Sequence, residues 1–105
     1  MKKVLFVCSG GMSSAIVEKA LLEEAKKAGI EIEANAVGSG EAQDAIDGDA
    51  WDIVMVAPQV KNRFDIFKEF ADKKQIPIVN IPPRDYSPLG GKHLLDIIKK
   101  TGGEG

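Results

Sequence analysis

The sequence predicts a single α/β domain: a doubly wound, four-stranded parallel sheet with helices on both faces. Residues 4–7 and 51–57 are two largely apolar runs without regular alternation, which is typical of strands covered on both faces. Strand-like and helix-like segments follow one another with few residues between them, as in successive β–α–β units. The 105 residues suffice for one domain with a real core, and we expect that domain to span residues 1–105.

Four strands and four helices are predicted in alternation. The strands are residues 4–7, 30–36, 51–57 and 76–81, and the helices are residues 14–28, 41–46, 61–74 and 91–101. Gly29 ends the first helix. Apolar residues at helical spacing give each of the three long helices one face for the core. These residues are Val17, Ala20, Leu21, Ala25 and Ala28 in the first, Phe64, Ile66, Phe67, Phe70 and Ala71 in the third, and Leu94, Leu95, Ile97 and Ile98 in the last.

The pattern within the strands predicts their order in the sheet. Residues 30–36 alternate between apolar and polar. One face of this strand is therefore expected to be exposed to solvent, which places the strand at an edge of the sheet. Pro77 cannot donate to a ladder, which puts the fourth strand at the other edge. The predicted order is therefore 2-1-3-4, with the two apolar strands in the middle. Ligands of open α/β sheets bind at the carboxyl ends of the strands where the order reverses, here between strands 1 and 3.

The loop after the first strand is the main candidate for a functional site. It reads Cys8-Ser9-Gly10-Gly11-Met12-Ser13-Ser14 and places the lone cysteine between a strand end and a helix start. Gly10 and Gly11 permit unusual backbone angles, and Ser13 or Ser14 can cap the helix. Backbone N–H groups and the positive end of the helix dipole converge on such a loop, so it is predicted to bind phosphate and to favour a thiolate at Cys8. The alternative is that Cys8 is a small buried apolar side chain.

Two further loops are predicted beside the Cys8 loop, at the carboxyl ends of the strands. Pro58 and Gln59 follow the third strand, and the Gln59 amide is expected either to donate to a phosphoryl oxygen or a partner protein, or simply to be solvated. Asp85 and Tyr86 lie in the long connection of residues 82–91, which is either a wall of the site or a plain surface loop. His93 is expected on the solvated side of the last helix and is assigned no role.

Composition narrows the function classes. The formal net charge is −2 with acidic and basic residues interspersed, so no nucleic-acid or membrane-surface partner is predicted. The apolar runs are far shorter than a bilayer span, so no direct membrane insertion is expected. A single cysteine cannot form an internal disulfide, which fits a cytoplasmic location. No Cys or His pattern suits a metal, so neither metal nor cofactor is predicted, and residues 102–105 are expected to form a flexible tail.

The residues resemble those of a known family. The run Cys8-Ser9-Gly10-Gly11-Met12-Ser13-Ser14, the turn at residues 57–60 and Tyr86 resemble the enzyme IIB component of the lactose/cellobiose (diacetylchitobiose) class of the bacterial sugar phosphotransferase system. The likeness covers nearly the whole chain in length and element order. It implies a transferase in which Cys8 accepts a phosphoryl group from a phosphohistidine of enzyme IIA. It also implies that residues 9–14 cradle the group, and that Cys8 passes it to a sugar, a β-linked disaccharide, held by the membrane component IIC.

Two alternatives stay open. The loop and the fold also resemble those of low-molecular-weight tyrosine phosphatases, whose pattern is Cys, five residues, Arg, then Ser or Thr. Ser14 stands at the arginine position here. An arginine finger is worth about 10³–10⁵ in phosphoryl transfer, whereas a helix dipole contributes about 0.3–1 kcal/mol, so a phosphocysteine should persist until an acceptor arrives. Asp85 is placed to serve as the general acid of a phosphatase, which keeps that hydrolase as one alternative. A non-catalytic module that binds a phosphorylated ligand is the other.

Overall fold

The computed structural model describes residues 2–9 and 13–101. Strands and helices alternate along them: β1 (Lys2–Cys8), α1 (Ser13–Lys27), β2 (Ile32–Gly38), α2 (Ala42–Asp47), β3 (Ile53–Val56), α3 (Phe64–Lys73), β4 (Ile78–Asn80) and α4 (Gly91–Thr101). Three 3-10 segments lie in the connections, at Ser39–Glu41, Pro58–Arg63 and Pro83–Asp85. The predicted tail at residues 102–105 lies outside the described part of the chain.

The four strands form one parallel sheet in the predicted order, β2-β1-β3-β4. Cys8 pairs with Gly38 of β2, and Val7 pairs with Val56 of β3. Val56 in turn pairs with Asn80 of β4. The last residues of all four strands therefore lie along the same side of the sheet, which we call the carboxyl edge. The loops expected to carry function leave the sheet at this edge.

The sheet is covered by helices on both faces. Side chains of β1 alternate, so that Val4 and Phe6 enter one apolar cluster and Leu5 and Val7 enter the other. The α1/α4 cluster also contains, from the two helices after which we name it, Val17, Leu21, Ala25, Leu94, Leu95 and Ile98. The α2/α3 cluster contains, from its helices and their flanking segments, Ala42, Ile46, Val60, Phe67, Ala71 and Ile76. The result is a three-layer α/β/α domain in which β3 and residues 4–8 of β1 are buried.

Several predicted boundaries move by a few residues. β2 begins at Ile32 and not at residue 30, because Gly29 turns with a φ of 73° and the Ile30 N–H donates back to the Ala25 carbonyl at 2.9 Å. The third helix begins at Phe64 and not at residue 61, because Pro58 opens a 3-10 segment that runs to Arg63.

Two residues predicted for the core are exposed. Ile66 is 45% exposed, because it lies beside Phe67 on α3 and only the Phe67 side of that helix faces the sheet. Ala28 follows the last residue of α1 and is exposed as well. The other members of the three predicted helix faces are buried or partly buried.

A cluster of charged and aromatic residues lies at the amino ends of β1 and β3, opposite the carboxyl edge. The Lys3 N–H donates to Asp52 Oδ2 at 2.7 Å, and the Lys3 ammonium pairs with Asp49. That ammonium also lies 5.0 Å from the centre of the Trp51 ring. The hydrogen bond between the two side chains raises the pKa of Lys3 and lowers the pKa of Asp49 from their ordinary values. We call Lys3, Asp49, Trp51 and Asp52 the amino-edge cluster.

Candidate functional site

Cys8 is the last residue of the central strand β1 and lies at the carboxyl edge. Its side chain is buried within the α2/α3 cluster, and its Sγ donates to the Val37 carbonyl of β2 at 3.5 Å. On the other side, the Ala57 N–H donates to the Val7 carbonyl at 2.8 Å. The thiol is therefore bonded to the backbone of β2, and the end of its own strand lies between β2 and the segment after β3, at the switch point where a ligand site is expected.

Helix α1 begins five residues after Cys8, at Ser13. The helix is 15 residues long and connects the end of β1 to the start of β2. Because the start of β2 lies at the amino ends of the strands, the amino terminus of α1 lies at the carboxyl edge. Ser9 is exposed at the end of β1. Gly10, Gly11 and Met12 lie outside the described residues, so their part in a phosphate cradle stays a prediction. A helix amino terminus has N–H groups without partners inside the helix and a positive dipole end, and that of α1 lies at the same edge of the sheet as Cys8.

Pro58 and Gln59 lie at the same edge. Pro58 is the first residue of the 3-10 segment after Ala57, and the Val60 N–H closes the turn on the Ala57 carbonyl at 3.1 Å. Gln59 is exposed. Because Ala57 is bonded to the backbone of Val7, this turn starts next to the end of β1. The sequence prediction that these loops share one edge is therefore met in the geometry.

Asp85, a candidate site residue of the last loop (residues 82–91), is buried and bonded to α4. Its side chain is 5% exposed, and its Oδ1 lies 2.8 Å from His93 Nδ1 and 4.0 Å from Arg84 Nε. The His93 ring is 63% exposed, as predicted for the solvated side of α4. Its bond to Asp85 was not predicted. No local pattern in the sequence points to it, because the two residues are separated by an irregular loop and lie on different elements.

Tyr86 lies at the carboxyl edge. It is partly buried and packs against both the α2/α3 cluster, which contains Cys8, and the α1/α4 cluster. Because these clusters lie on opposite faces of the sheet and Tyr86 follows the end of β4, the ring lies past the strand ends. Adjacent residues of the last loop thus have different surroundings: Asp85 bonds to α4, and Tyr86 packs at the carboxyl edge.

Two glycines fix the last loop and the start of α4. A Cβ on Gly90 would lie 1.9 Å from the carbonyl oxygen of Asp85, and one on Gly91 would lie 2.4 Å from the carbonyl oxygen of Ala20 in α1. Both contacts are closer than any side chain allows. The loop therefore closes back on Asp85, and the start of α4 packs against α1, a constraint that the sequence pattern does not predict.

The described ranges offer no metal site, since they hold no group of three or more His, Cys, Asp or Glu side chains that could bind an ion. Within residues 2–9 and 13–101, no helix is both long and apolar enough to cross a bilayer.

Comparison with known proteins identifies relatives over almost the whole chain. The family model "PTS system, Lactose/Cellobiose specific IIB subunit" matches residues 3–97. The oligo-β-mannoside-specific EIIB component of Bacillus subtilis is 33% identical over 96 residues, which cover 91% of this chain and 91% of the relative. The lactose-specific EIICB component of Lacticaseibacillus casei is 31% identical over 93% of this chain. This chain spans only 17% of that longer relative, and 15% of the Lactococcus lactis one.

Solved structures agree with the fold. The lactose-specific IIB component domain of Streptococcus pneumoniae superposes with a TM-score of 0.79 at 28% identity, covering 95% of this chain and 96% of that one. The cellobiose-specific IIB component of Borrelia burgdorferi gives a TM-score of 0.76 at 25% identity, covering 98% and 93%. Fold and strand order are therefore those of IIB components of sugar phosphotransferase systems. Within that class, the chain belongs to the lactose/cellobiose-specific IIB family. The resemblance inferred from the sequence is confirmed.

Proposed function

We propose that this protein is the phosphoryl carrier of a sugar phosphotransferase system and that Cys8 is the residue that carries the group. The observation that supports this most directly is the position of Cys8, at the carboxyl end of β1 and ahead of the amino terminus of α1. Such a terminus favours anions, both a thiolate and a bound phosphoryl group. The proposed cradle consists of Ser9, Gly10, Gly11, Met12, Ser13 and Ser14.

The chemistry takes two balanced steps. In the first, the Cys8 thiolate attacks the phosphorus of a phosphohistidine on enzyme IIA, so that a P–S bond forms while the P–N bond breaks. The imidazole leaves as the neutral ring, taking up the proton that the Cys8 thiol released. In the second, a sugar hydroxyl attacks the same phosphorus. A P–O bond forms, the P–S bond breaks, the thiolate is restored, and the hydroxyl proton passes to a base on the sugar-bound partner or to water. The N–H groups at the start of α1 stabilise the phosphoryl charge in both steps.

Two features favour a carrier over a hydrolase. Ser14 occupies the position at which the phosphatase pattern has its arginine, so the guanidinium that stabilises the transition state is missing. The Asp85 carboxylate, the candidate general acid, is buried and bonded to His93. A general acid must reach the leaving group. A phosphocysteine at Cys8 is therefore expected to be hydrolysed slowly and to persist until a sugar accepts the phosphoryl group.

Family membership and the relatives support the proposed partners and substrate. The lactose-specific relatives are EIICB components, which supports the membrane component IIC, with its bound sugar, as acceptor. The donor is enzyme IIA, as membership in this family implies. Relatives named for lactose, cellobiose and oligo-β-mannosides support a β-linked disaccharide as the sugar. We further propose a cytoplasmic location, a single domain over residues 1–105, and Gln59 and Tyr86 as contacts to the phosphoryl group or a partner.

The test is intact-mass spectrometry after incubation with phosphoenolpyruvate, the general phosphotransferase proteins and a IIA of this class. Wild-type protein should gain one phosphoryl group that persists for minutes, and Cys8→Ser should gain none. Release of phosphate from an aryl phosphate without an adduct would instead identify a phosphatase. If neither signal appears, the carrier proposal is wrong and the remaining hypothesis is a non-catalytic module that binds a phosphorylated ligand.

A further inference from the structure

The Asp85–His93 pair joins the last loop to α4. Asp85 lies in the 3-10 turn Pro83–Asp85, and His93 lies in the first turn of α4. A buried carboxylate is costly unless a donor satisfies it. His93 supplies that donor at 2.8 Å, while Arg84 approaches only to 4.0 Å and is itself 81% exposed. The bond therefore connects the turn to the first turn of α4.

The position of this turn determines the position of Tyr86. The Asp85 and Tyr86 N–H groups donate to the Pro82 and Pro83 carbonyls, at 2.8 and 3.2 Å. Gly90 packs directly on the Asp85 carbonyl, and this close contact restricts movement of the loop around Asp85. Tyr86 extends from this fixed turn across the strand ends, against the cluster that contains Cys8. A displacement of Asp85 would therefore displace the Tyr86 ring as well.

We propose that His93 is a positioning residue for phosphoryl transfer at Cys8, acting through Asp85 to hold Tyr86 at the carboxyl edge. The inference rests on the proposed function and assigns a role to a residue that the sequence analysis left without one. The rest of the His93 ring faces a cavity of about 240 Å³ lined by Pro82, Arg84, Asp85, Asp96, Ile97 and Lys100. The ring is therefore held by one bond to the loop and is otherwise open to solvent. Misplacement of a group at a reacting centre by about 1 Å can cost as much as 10²-fold in rate.

The kinetic test compares three variants of α4. His93→Ala removes the donor, while His93→Asn keeps an N–H near the place of Nδ1, and Lys92→Ala is a matched change at the exposed neighbour. Transfer from phosphorylated IIA to Cys8 should slow about tenfold in His93→Ala at saturating IIA, with the KM for IIA unchanged. His93→Asn should recover most of the rate, and Lys92→Ala should match the wild type. Equal melting temperatures would show that the loss is not one of folding.

A spectroscopic test uses the fact that the chain has one histidine and one tyrosine. Long-range 1H–15N spectra should show the His93 ring protonated on Nδ1, and the Tyr86 ring resonances should shift in His93→Ala but return in His93→Asn. In a Tyr86→Leu background, the His93→Ala change should have no further effect on the transfer rate. An imidazole protonated on Nε2 alone, unmoved Tyr86 resonances, or a full additional loss in the Tyr86→Leu background would overturn the proposal.

The outcomes separate this inference from the proposed function. If Cys8 of the wild type accepts no phosphoryl group, both fail. If the wild type accepts the group and His93→Ala accepts it at the same rate, the carrier function stands and the role of His93 is refuted.

Discussion

At the scale of single residues, Gln75 has a backbone conformation that residues other than glycine rarely adopt. Its φ is 59°, in the left-handed region, where it ends α3. The Gln75 and Ile76 N–H groups donate back to the Asp72 and Ala71 carbonyls at 3.0 and 2.9 Å, which closes the helix. A left-handed conformation costs a residue with a Cβ about 1–2 kcal/mol.

We therefore expect Gln75→Gly to raise the free energy of unfolding by about 0.5–1 kcal/mol, less than the full strain because glycine loses more chain entropy on folding. Urea denaturation measures the change. Gln75→Ala is the control and should show no such gain, since alanine keeps the Cβ. A Gly variant no more stable than the Ala variant would show that the turn is unstrained.

Residue by residue, the sequence was informative where the signal is local. Cys8, Pro58 and Gln59 were expected at one edge because each follows a predicted strand end, and all three lie there. The burial of Asp85 and its bond to His93 could not be foreseen, because they depend on how α4 packs against the last loop. Spacing along the chain carries no information about such a tertiary contact.

At the scale of elements, the packing of α4 on α1 depends on Gly91. A methyl group there would meet the backbone of Ala20 in α1 at 2.4 Å, and backbone atoms have no rotamer with which to move aside. The first turn of α4 can therefore lie close to α1 only if this position has no side chain.

Gly91→Ala is expected to lower the free energy of unfolding by about 1–3 kcal/mol, the cost of forcing atoms into a packed interface. Gly40→Ala is the matched control, since a Cβ there meets nothing within 4 Å and its φ is not positive. It should leave stability unchanged or raise it by about 0.4–1 kcal/mol. Thermal or urea denaturation of both variants decides the point, and equal stabilities would contradict the close approach.

The elements themselves were largely predictable from apolar periodicity. The two buried central strands, the edge positions of β2 and β4 and the strand order all follow from patterns of a few residues. Boundaries were less predictable, because Pro58 opens a 3-10 segment in a stretch whose periodicity looks helical. The exposure of Ile66 has a similar cause: a helix with apolar residues on more than one side can face the sheet with only one of them.

At the scale of the whole molecule, the amino-edge cluster makes stability depend on pH. The pKa of Asp49 is lowered by its bond to Lys3, so the folded state binds this proton less readily than the unfolded state. The contribution is present above the ordinary aspartate pKa of about 3.9 and is lost as pH falls through the folded value. The pKa of Lys3 is raised, so its share is lost as pH rises through the folded value, above about 10.4.

The urea midpoint of Asp49→Asn should therefore fall below that of the wild type at neutral pH, and the difference should disappear as the pH falls from about 3.9 through the lowered folded pKa of Asp49. The effect is expected to be modest and to shrink in salt, because the Lys3 and Asp49 side chains are 26% and 47% exposed. Glu69→Gln, an exposed change in α3, is the control and should show no such convergence. A constant difference across the acid range would mean that the ion pair does not contribute.

The all-parallel order of the sheet also has a consequence for how the chain acquires its structure. In the strand pairs of the sheet, partners lie far apart in the chain: Lys2 pairs with Ile32, and Val4 pairs with Ile53. Long segments must therefore close before a ladder forms, and this entropy slows the folding of such topologies relative to helical bundles. β1 is synthesised before β3 and gains its second neighbour only after β3 has been made. A ribosome paused before β3 would hold a chain whose central strand lacks half of its ladder.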